Sequence, residues 1–298
     1  MKRQDLAALV LLSSIWGGSF LFMRVAAPVL GPALLIEIRV LLAGLVLLAG
    51  TAIARTLPPL RPYWRPLLVV GLTNSAIPFL LIATAELHLT ASLAATLNAT
   101  TPLCGAVIAA LWFRERLPWS KVLGLVTGLA GVAVLVGLGP LPLNRDLLVS
   151  SGESLVAAVL YGFSAVYSRA KLQGASPMAI TIYSQLAAAI ALLPLMPASM
   201  PHQAPSALVI GCTLALSLLS TALGYLLYFR LIARVGAMRA TMVTYLSPAF
   251  GLLWGAVFLG ERLGLGSMLG FGLILASVGL VSGLRLPHRS AEAIQSAS

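Results

Sequence analysis

Residues 98–105 read NATTPLCG and residues 244–251 read TYLSPAFG, each deep inside a long apolar run. Their prolines, Pro102 and Pro248, stand 146 residues apart in a chain of 298. A proline inside a helix removes a hydrogen bond and clashes with the carbonyl four residues back, at a cost of ~3 kcal/mol or more. Two such interruptions, each near mid-run and half a chain apart, point to a duplicated unit.

The match extends outward from the prolines. At an offset of 146, Ala94, Pro102, Gly105, Ala110, Glu115, Arg116, Leu117 and Gly124 meet Ala240, Pro248, Gly251, Ala256, Glu261, Arg262, Leu263 and Gly270. Gly137 meets Gly283, and near the start of each half WGGSFLFMR (16–24) is similar to YGFSAVYSR (161–169) at an offset of 145. The expected division is a first repeat over 1–143, a second over 144–286, and a polar tail over 287–298 that is expected to be disordered and cytoplasmic.

Composition says what the repeats are made of. The chain is 59% hydrophobic and 9% charged, with a mean hydropathy of +1.00. Soluble domains carry roughly 25% charged residues, so the composition is that of an integral membrane protein. The net charge of +11 does not point to nucleic acid, because the charges sit in short loops between apolar runs. Cys104 and Cys212 both lie inside such runs and imply neither a disulfide framework nor a metal site.

A bilayer needs about 20 mostly apolar residues per helix. Ten runs qualify: 5–27, 32–54, 66–87, 91–113, 119–138, 150–171, 176–197, 205–230, 236–259 and 264–285. The first is read as a span and not as a signal peptide, since it continues past Trp16 and Gly17 to Ala27 with no small-residue cleavage site. Five spans per half is an odd number, so the second copy enters the membrane upside down. With the N-terminus inside, Lys2, Arg3, Arg55, Arg61, Arg65, Arg114, Arg116, Lys121, Arg169, Lys171, Arg230, Arg234, Arg239, Arg285 and Arg289 fall at inner ends. Only Arg24, Arg145 and Arg262 fall at outer ends, and this bias predicts cytoplasmic termini. The expected fold is all-α, with ten transmembrane helices in two inverted-topology five-helix repeats. Such repeats supply two related states, which alternating access requires.

The W-G-x-S pattern early in span one, Arg39 in span two, and the P…E-R-L…G series of spans four and five, repeated in spans nine and ten, resemble the EamA repeat. Two such repeats in ten spans resemble the drug/metabolite transporter superfamily. Within it the chain is most similar to bacterial exporters of amino acids and related metabolites, of the YddG type. The resemblance covers nearly the whole chain. It implies a central pathway lined by both repeats and opening alternately to either side of a bacterial inner membrane. The family's arginine in span two is matched by Arg39, whereas the corresponding place in span seven holds Gln185.

Ionisable groups inside a membrane are functional candidates, and here they are few. Glu37 and Arg39 lie in span two, on different faces of the helix, and are expected to be structural charges. Glu86 ends span three beside His88, and Glu153 starts span six, both near the outer side. With no carboxylate expected at mid-depth, facilitated diffusion, exchange or coupling through a less obvious group is favoured over a carboxylate proton relay. Mid-depth is instead rich in neutral polar and aromatic groups. Trp16, Ser19, Asn74, Pro78, Asn98, Thr101, Tyr161, Tyr225, Tyr245 and Trp254 are the expected substrate-binding residues, and Pro102 and Pro248 the expected hinges. Such groups can hydrogen-bond a ligand's polar end and pack its side chain.

Catalysis is disfavoured. No HExxH or G-x-S-x-G occurs, and His88, His202 and His288 fall at span ends or in loops. No cofactor and no metal are expected. The expected partners are a small-molecule substrate and the lipid bilayer, and a monomer suffices. The glycine face of Gly124, Gly128, Gly131 and Gly137 allows close helix packing within or between chains. A nucleotide-sugar is a poor fit, because a diphosphate wants several cations and Arg39 is the only deep one. The expected substrate is a small neutral metabolite, foremost an aromatic or apolar amino acid; a lipid or drug is the alternative.

Overall fold

The structure, a computed structural model, describes residues 2–138, 141–198, 201 and 204–282. The expected tail over 287–298, together with His202 and His288, lies outside the described residues. The described chain is helical throughout, with no strand. In order the helices are α1 (Arg3–Leu30), α2 (Pro32–Ile53), α3 (Trp64–Gly71), α4 (Ile77–Ala85), α5 (Ala91–Asn98), α6 (Thr101–Phe113) and α7 (Trp119–Gly137). The second half holds α8 (Arg145–Lys171), α9 (Pro177–Leu192), α10 (Ala207–Leu214), α11 (Gly224–Val235), α12 (Ala237–Ala240), α13 (Met242–Leu259) and α14 (Leu265–Ser282).

Several of these join end to end. α3 runs through a π-helical turn, Leu72–Ala76, into α4, and α10 runs through a longer one, Ala215–Leu223, into α11. Among the described residues nine segments are long and apolar enough to cross a bilayer, and α14 supplies an apolar tenth. The face where α1 begins is the near face below, and the opposite one the far face. The outside of the bundle is apolar: Trp119 is 85% exposed, Leu111 75% and Leu129 72%. Soluble monomers rarely expose such contiguous apolar surface, whereas lipid tails solvate it.

Capping sets the helix ends. α8 starts five residues before the expected start of span six, because Asn144 Oδ1 accepts from Leu147 N at 2.8 Å and fixes the first turn there. Ser176 and Ser206 cap α9 and α10 in the same way, accepting from Ala179 N at 3.1 Å and Val209 N at 3.4 Å.

Small residues set the packing between the halves. In lipid, helices associate through close contact and not through the hydrophobic effect, which favours glycine at crossings. A methyl built on Gly17 of α1 would come 2.5 Å from Ser247 O and 2.8 Å from Gly251 N of α13. A methyl on Gly162 of α8 would come 2.6 Å from Gly105 N of α6. Gly162 and Gly105 are the repeat counterparts of Gly17 and Gly251, so one contact is built twice. Likewise a methyl on Gly124 would lie 2.9 Å from Ser277 O, and one on Gly270 would lie 2.9 Å from Gly131 O, across the α7–α14 crossing. In each case a helix of one repeat packs on a helix of the other.

The proline breaks differ from expectation. Span four does break: α5 ends at Asn98 and α6 restarts at Thr101. Thr101 Oγ1 donates to Asn98 O at 2.8 Å, the carbonyl that Pro102 leaves without an amide donor, and Thr100 Oγ1 donates to Leu97 O at 2.7 Å. The Thr101 hydroxyl thus replaces the amide donor that Pro102 lacks, while Leu97 O accepts from Thr100 N, at 3.1 Å, as well as from the Thr100 hydroxyl. Span nine stays helical through Pro248, and its turn comes earlier, at Thr241. At the counterparts of Thr100 and Thr101 stand Leu246, with no hydroxyl, and Ser247, whose Oγ donates to Val243 O at 2.8 Å and so stays in helical register.

Candidate functional site

The broken helices surround a central cavity of about 370 Å³. Its size falls in the range of small-molecule sites, ~300–1,000 Å³. Trp16, Ser19, Phe20 and Met23 of α1, Arg39 of α2, Asn74 of the first π-turn, and Phe79 and Ile82 of α4 line one side. Asn98, Thr101 and Pro102 of span four, Tyr161 and Ala165 of α8, Ser220 of the second π-turn, Tyr225 and Tyr228 of α11, and Thr244, Ser247 and Pro248 of α13 complete it. Both repeats contribute, and the wall holds no carboxylate among the described residues.

Each π-turn puts a polar side chain on this wall. Pro78 cannot donate to Asn74 O, and the chain widens to an i+5 pattern over Leu72–Ala76. In the second π-turn no proline is present; Thr221 Oγ1 donates to Leu216 O, five residues back, at 2.9 Å. Asn74 and Ser220 are repeat counterparts, and both reach the cavity. Asn74 Nδ2 donates to Tyr225 Oη at 3.3 Å, and Trp16 Nε1 donates to Ser220 O at 3.0 Å. The Trp16 ring sits 6.1 Å from Tyr225 and 5.2 Å from Tyr228. Phe79 and Tyr161 meet edge to face at 6.2 Å.

Seven of the ten residues expected to bind substrate come together here: Trp16, Ser19, Asn74, Asn98, Thr101, Tyr161 and Tyr225. The two expected hinge prolines join them. Pro78, Tyr245 and Trp254 do not. Pro78 is buried in the helix wall and acts through the π-turn it induces. Tyr245 packs against the hydrophobic core. Trp254 turns to α1, where Nε1 donates to Ser14 O at 3.1 Å, and its ring stacks on Phe250 at 5.9 Å.

The charges are placed as follows. Arg39, expected as a structural charge, lines the cavity while only 5% exposed. Glu37 is buried, and neither carboxylate oxygen has a hydrogen-bond partner among the described residues. Glu86, read from sequence as the outer end of span three, is fully buried; its carboxylate is also unpartnered there, while its main-chain carbonyl accepts from Arg24 Nη1.

The two ends of the cavity are unlike. On the far side every residue of α5 from Ala91 to Leu97 is buried, and α5 packs on α13. Glu261, in the loop after α13, closes that end: Oε1 accepts from Ala91 N at 2.8 Å, and Oε2 from Ser92 N at 3.0 Å and from the Ser92 hydroxyl. On the near side Leu103 alone is buried in α6, and Thr244 of the wall is exposed. The cavity is sealed at the far face and open toward the near face. The Glu261 cap had no local signal in the sequence, since its partners lie 170 and 169 residues away.

A ten-helix membrane bundle built from two inverted repeats around a cavity sealed at one end is the architecture of a carrier. The model of the EamA-like transporter family matches twice, over residues 5–137 and 153–283, and the chain belongs to that family. It is 29% identical to a protein of Streptantibioticus cattleyicolor named probable terminal-alkyne amino-acid exporter, over 95% of this chain and 94% of that one. It is 28% identical to a protein of Salmonella typhimurium named probable amino-acid metabolite efflux pump, over 93% and 94% of the two chains. A solved protein structure shares the fold with a TM-score of 0.66 at 18% identity, over 95% of this chain and 98% of that one. The protein is a multi-pass membrane transporter and not an enzyme.

Proposed function

We propose that the protein exports neutral amino acids with aromatic or apolar side chains across a bacterial inner membrane by alternating access. The near face, which gathers most of the basic residues, is then cytoplasmic, and the structure corresponds to the form open to the cytoplasm. The carrying observation is the cavity wall: aromatic rings, two amides, several hydroxyls and a single cation, with no carboxylate among the described residues. Rings suit an apolar side chain, and amides and hydroxyls suit the charged ends of a zwitterion. Two relatives are named for amino-acid or amino-acid metabolite export, which supports the same substrate class.

Counterflow in liposomes tests this. Vesicles preloaded with one amino acid should take up labelled phenylalanine, leucine or a similar substrate from outside. With no carboxylate on the wall, this exchange should persist when the proton gradient is collapsed. No counterflow with any of the twenty amino acids would overturn the assignment and favour a lipid or drug substrate.

A further inference from the structure

Arg39 is the one full charge on the cavity wall, and no carboxylate among the described residues lies within ion-pair distance of it. Its Nε donates to Thr221 Oγ1 at 3.0 Å, and Nη1 reaches the weak acceptor Met23 Sδ at 3.6 Å. The guanidinium carbon lies 3.6 Å from the centroid of the Phe79 ring. A guanidinium carries five N–H donors, so most remain unused by the described side chains and backbone. Neither Glu37 nor Glu86, although both are buried, forms an ion pair with it; Asp5 with Arg234 is the ion pair found among the described residues. A cation held this far from water without a directly paired anion is expensive, and it lines an open cavity.

A second unused group lies on the same wall. Asn98 Oδ1, at the end of α5, is buried and has no hydrogen-bond partner among the described residues, although the Asn98 main-chain carbonyl is satisfied by Thr101. An amide oxygen accepts only, and an ammonium donates only. The cavity wall therefore carries one spare set of cationic donors and, at Asn98, an amide whose buried oxygen is still without a donor.

We propose that Arg39 receives the carboxylate of the transported solute and Asn98 Oδ1 its ammonium group. The assignment rests on the amino-acid export reading and deepens it, making the α-carboxylate the group that the site demands. A guanidinium can hold a carboxylate through two parallel hydrogen bonds, and the ring of Phe79 keeps its plane in place. The neutral acceptor at Asn98 takes the ammonium without adding an anion that would compete for Arg39. A single cation also matches one carboxylate and not a diphosphate.

The test uses purified full-length protein in detergent and in liposomes, with three probes of one shape. L-Phenylalanine carries both charged ends, 3-phenylpropionate only the carboxylate, and 2-phenylethylamine only the ammonium. In wild type, phenylalanine should compete best in counterflow and raise the melting temperature most, with the amine at least ~10-fold weaker, the scale of a lost charge-assisted pair. Arg39→Gln should lose the response to phenylalanine and to phenylpropionate, while its ligand-free melting temperature stays at or above that of wild type, since an unpaired buried charge has gone. Asn98→Leu should erase the advantage of phenylalanine over phenylpropionate. Wild type that accepts the amine as well as the amino acid would overturn the proposal, as would Arg39→Gln with undiminished counterflow. An Arg39→Gln protein that fails to fold would mark Arg39 as a structural brace and overturn it too. Wild type that moves no amino acid yet is stabilised by phenylpropionate and not by the amine would sink the export reading alone and leave the carboxylate site standing.

Discussion

The carboxylate of Glu261 sits on the first turn of α5, where Oε2 accepts both the main-chain N–H and the hydroxyl of Ser92. A helix start presents unpaired N–H groups and the positive end of its dipole, so an anion is well held there. The loop that ends span nine is thereby tied to the beginning of span four, its counterpart in the other repeat.

Removing that tie should loosen the far seal. In Glu261→Gln the charge is lost, and in Glu261→Ala the hydrogen bonds go as well; hydrogen bonds to charged groups are each worth about 1.5–3 kcal/mol. A cysteine introduced at Thr96, which is buried beneath the cap, should label from the far side at least several-fold faster in either variant. Labelling at the parent rate would show that the cap does not hold the seal.

The repeat offset supplies a mirror partner. Ala91, Ser92 and Glu261 correspond to Ala237, Met238 and Glu115, and Glu115 is exposed in the near-open form. When the near face closes, Glu115 is expected to accept from the main chain at Ala237 and Met238. Cysteines at Glu115 and Ala237, joined by a short cross-linker, should trap a form in which Thr244 no longer labels from the near side. Glu115→Gln should bias the equilibrium opposite to Glu261→Gln. No cross-link with or without substrate would sink the mirror.

The prolines should not be equivalent. Pro102→Ala allows α5 and α6 to merge, because Asn98 O regains an amide donor in place of Thr101 Oγ1. A folded protein with transport slowed roughly tenfold, a change of about 1.4 kcal/mol in barrier, is expected. Pro248→Ala, in a helix already continuous, should do less and bias the two open forms the other way. Equal and negligible effects in both would make the prolines static packing features.

Sidedness is open to direct labelling. A cysteine at Arg145 should react with an impermeant thiol reagent added outside the cell, and one at Arg61 should not. Reaction at Arg61 from outside would reverse the assignment of faces and, with it, the direction of every state named above.

The spans were legible because lipid imposes a length and a composition on anything that crosses it, so runs such as 32–54 could be read almost to the residue as Pro32–Ile53. Depth was legible too: Trp16, Asn74, Asn98 and Tyr225 are polar or amphipathic near mid-span, and they meet. Rotation about the helix axis was not. Tyr245 and Trp254 lie at the right depth, but packing turns them toward the core and α1. The π-turns escaped notice because they depend on which carbonyl a hydroxyl selects, as Thr221 selects Leu216. The sequence put Glu37 and Arg39 on different faces of span two, but could not show that the Arg39 face is the one that lines the cavity.

The glycine crossing of α1 on α13 has a bearing on how the chain is made. Gly17 meets Gly251, and Trp254 donates to Ser14 across 240 residues. At ~5–20 residues per second of synthesis, the first helix enters the bilayer on the order of 10–50 s before its main packing partner exists. Through that interval the first half holds only the lesser native mates of its opening span, α2, α4 and α5, and lacks the main one. The same holds in reverse for α8, whose partner α6 is already waiting when it emerges. Biogenesis is thus asymmetric although the architecture is symmetric: the second half assembles on arrival, and the first is completed last. A gene split between the repeats would yield two fragments, each unable to mature until the other had been translated.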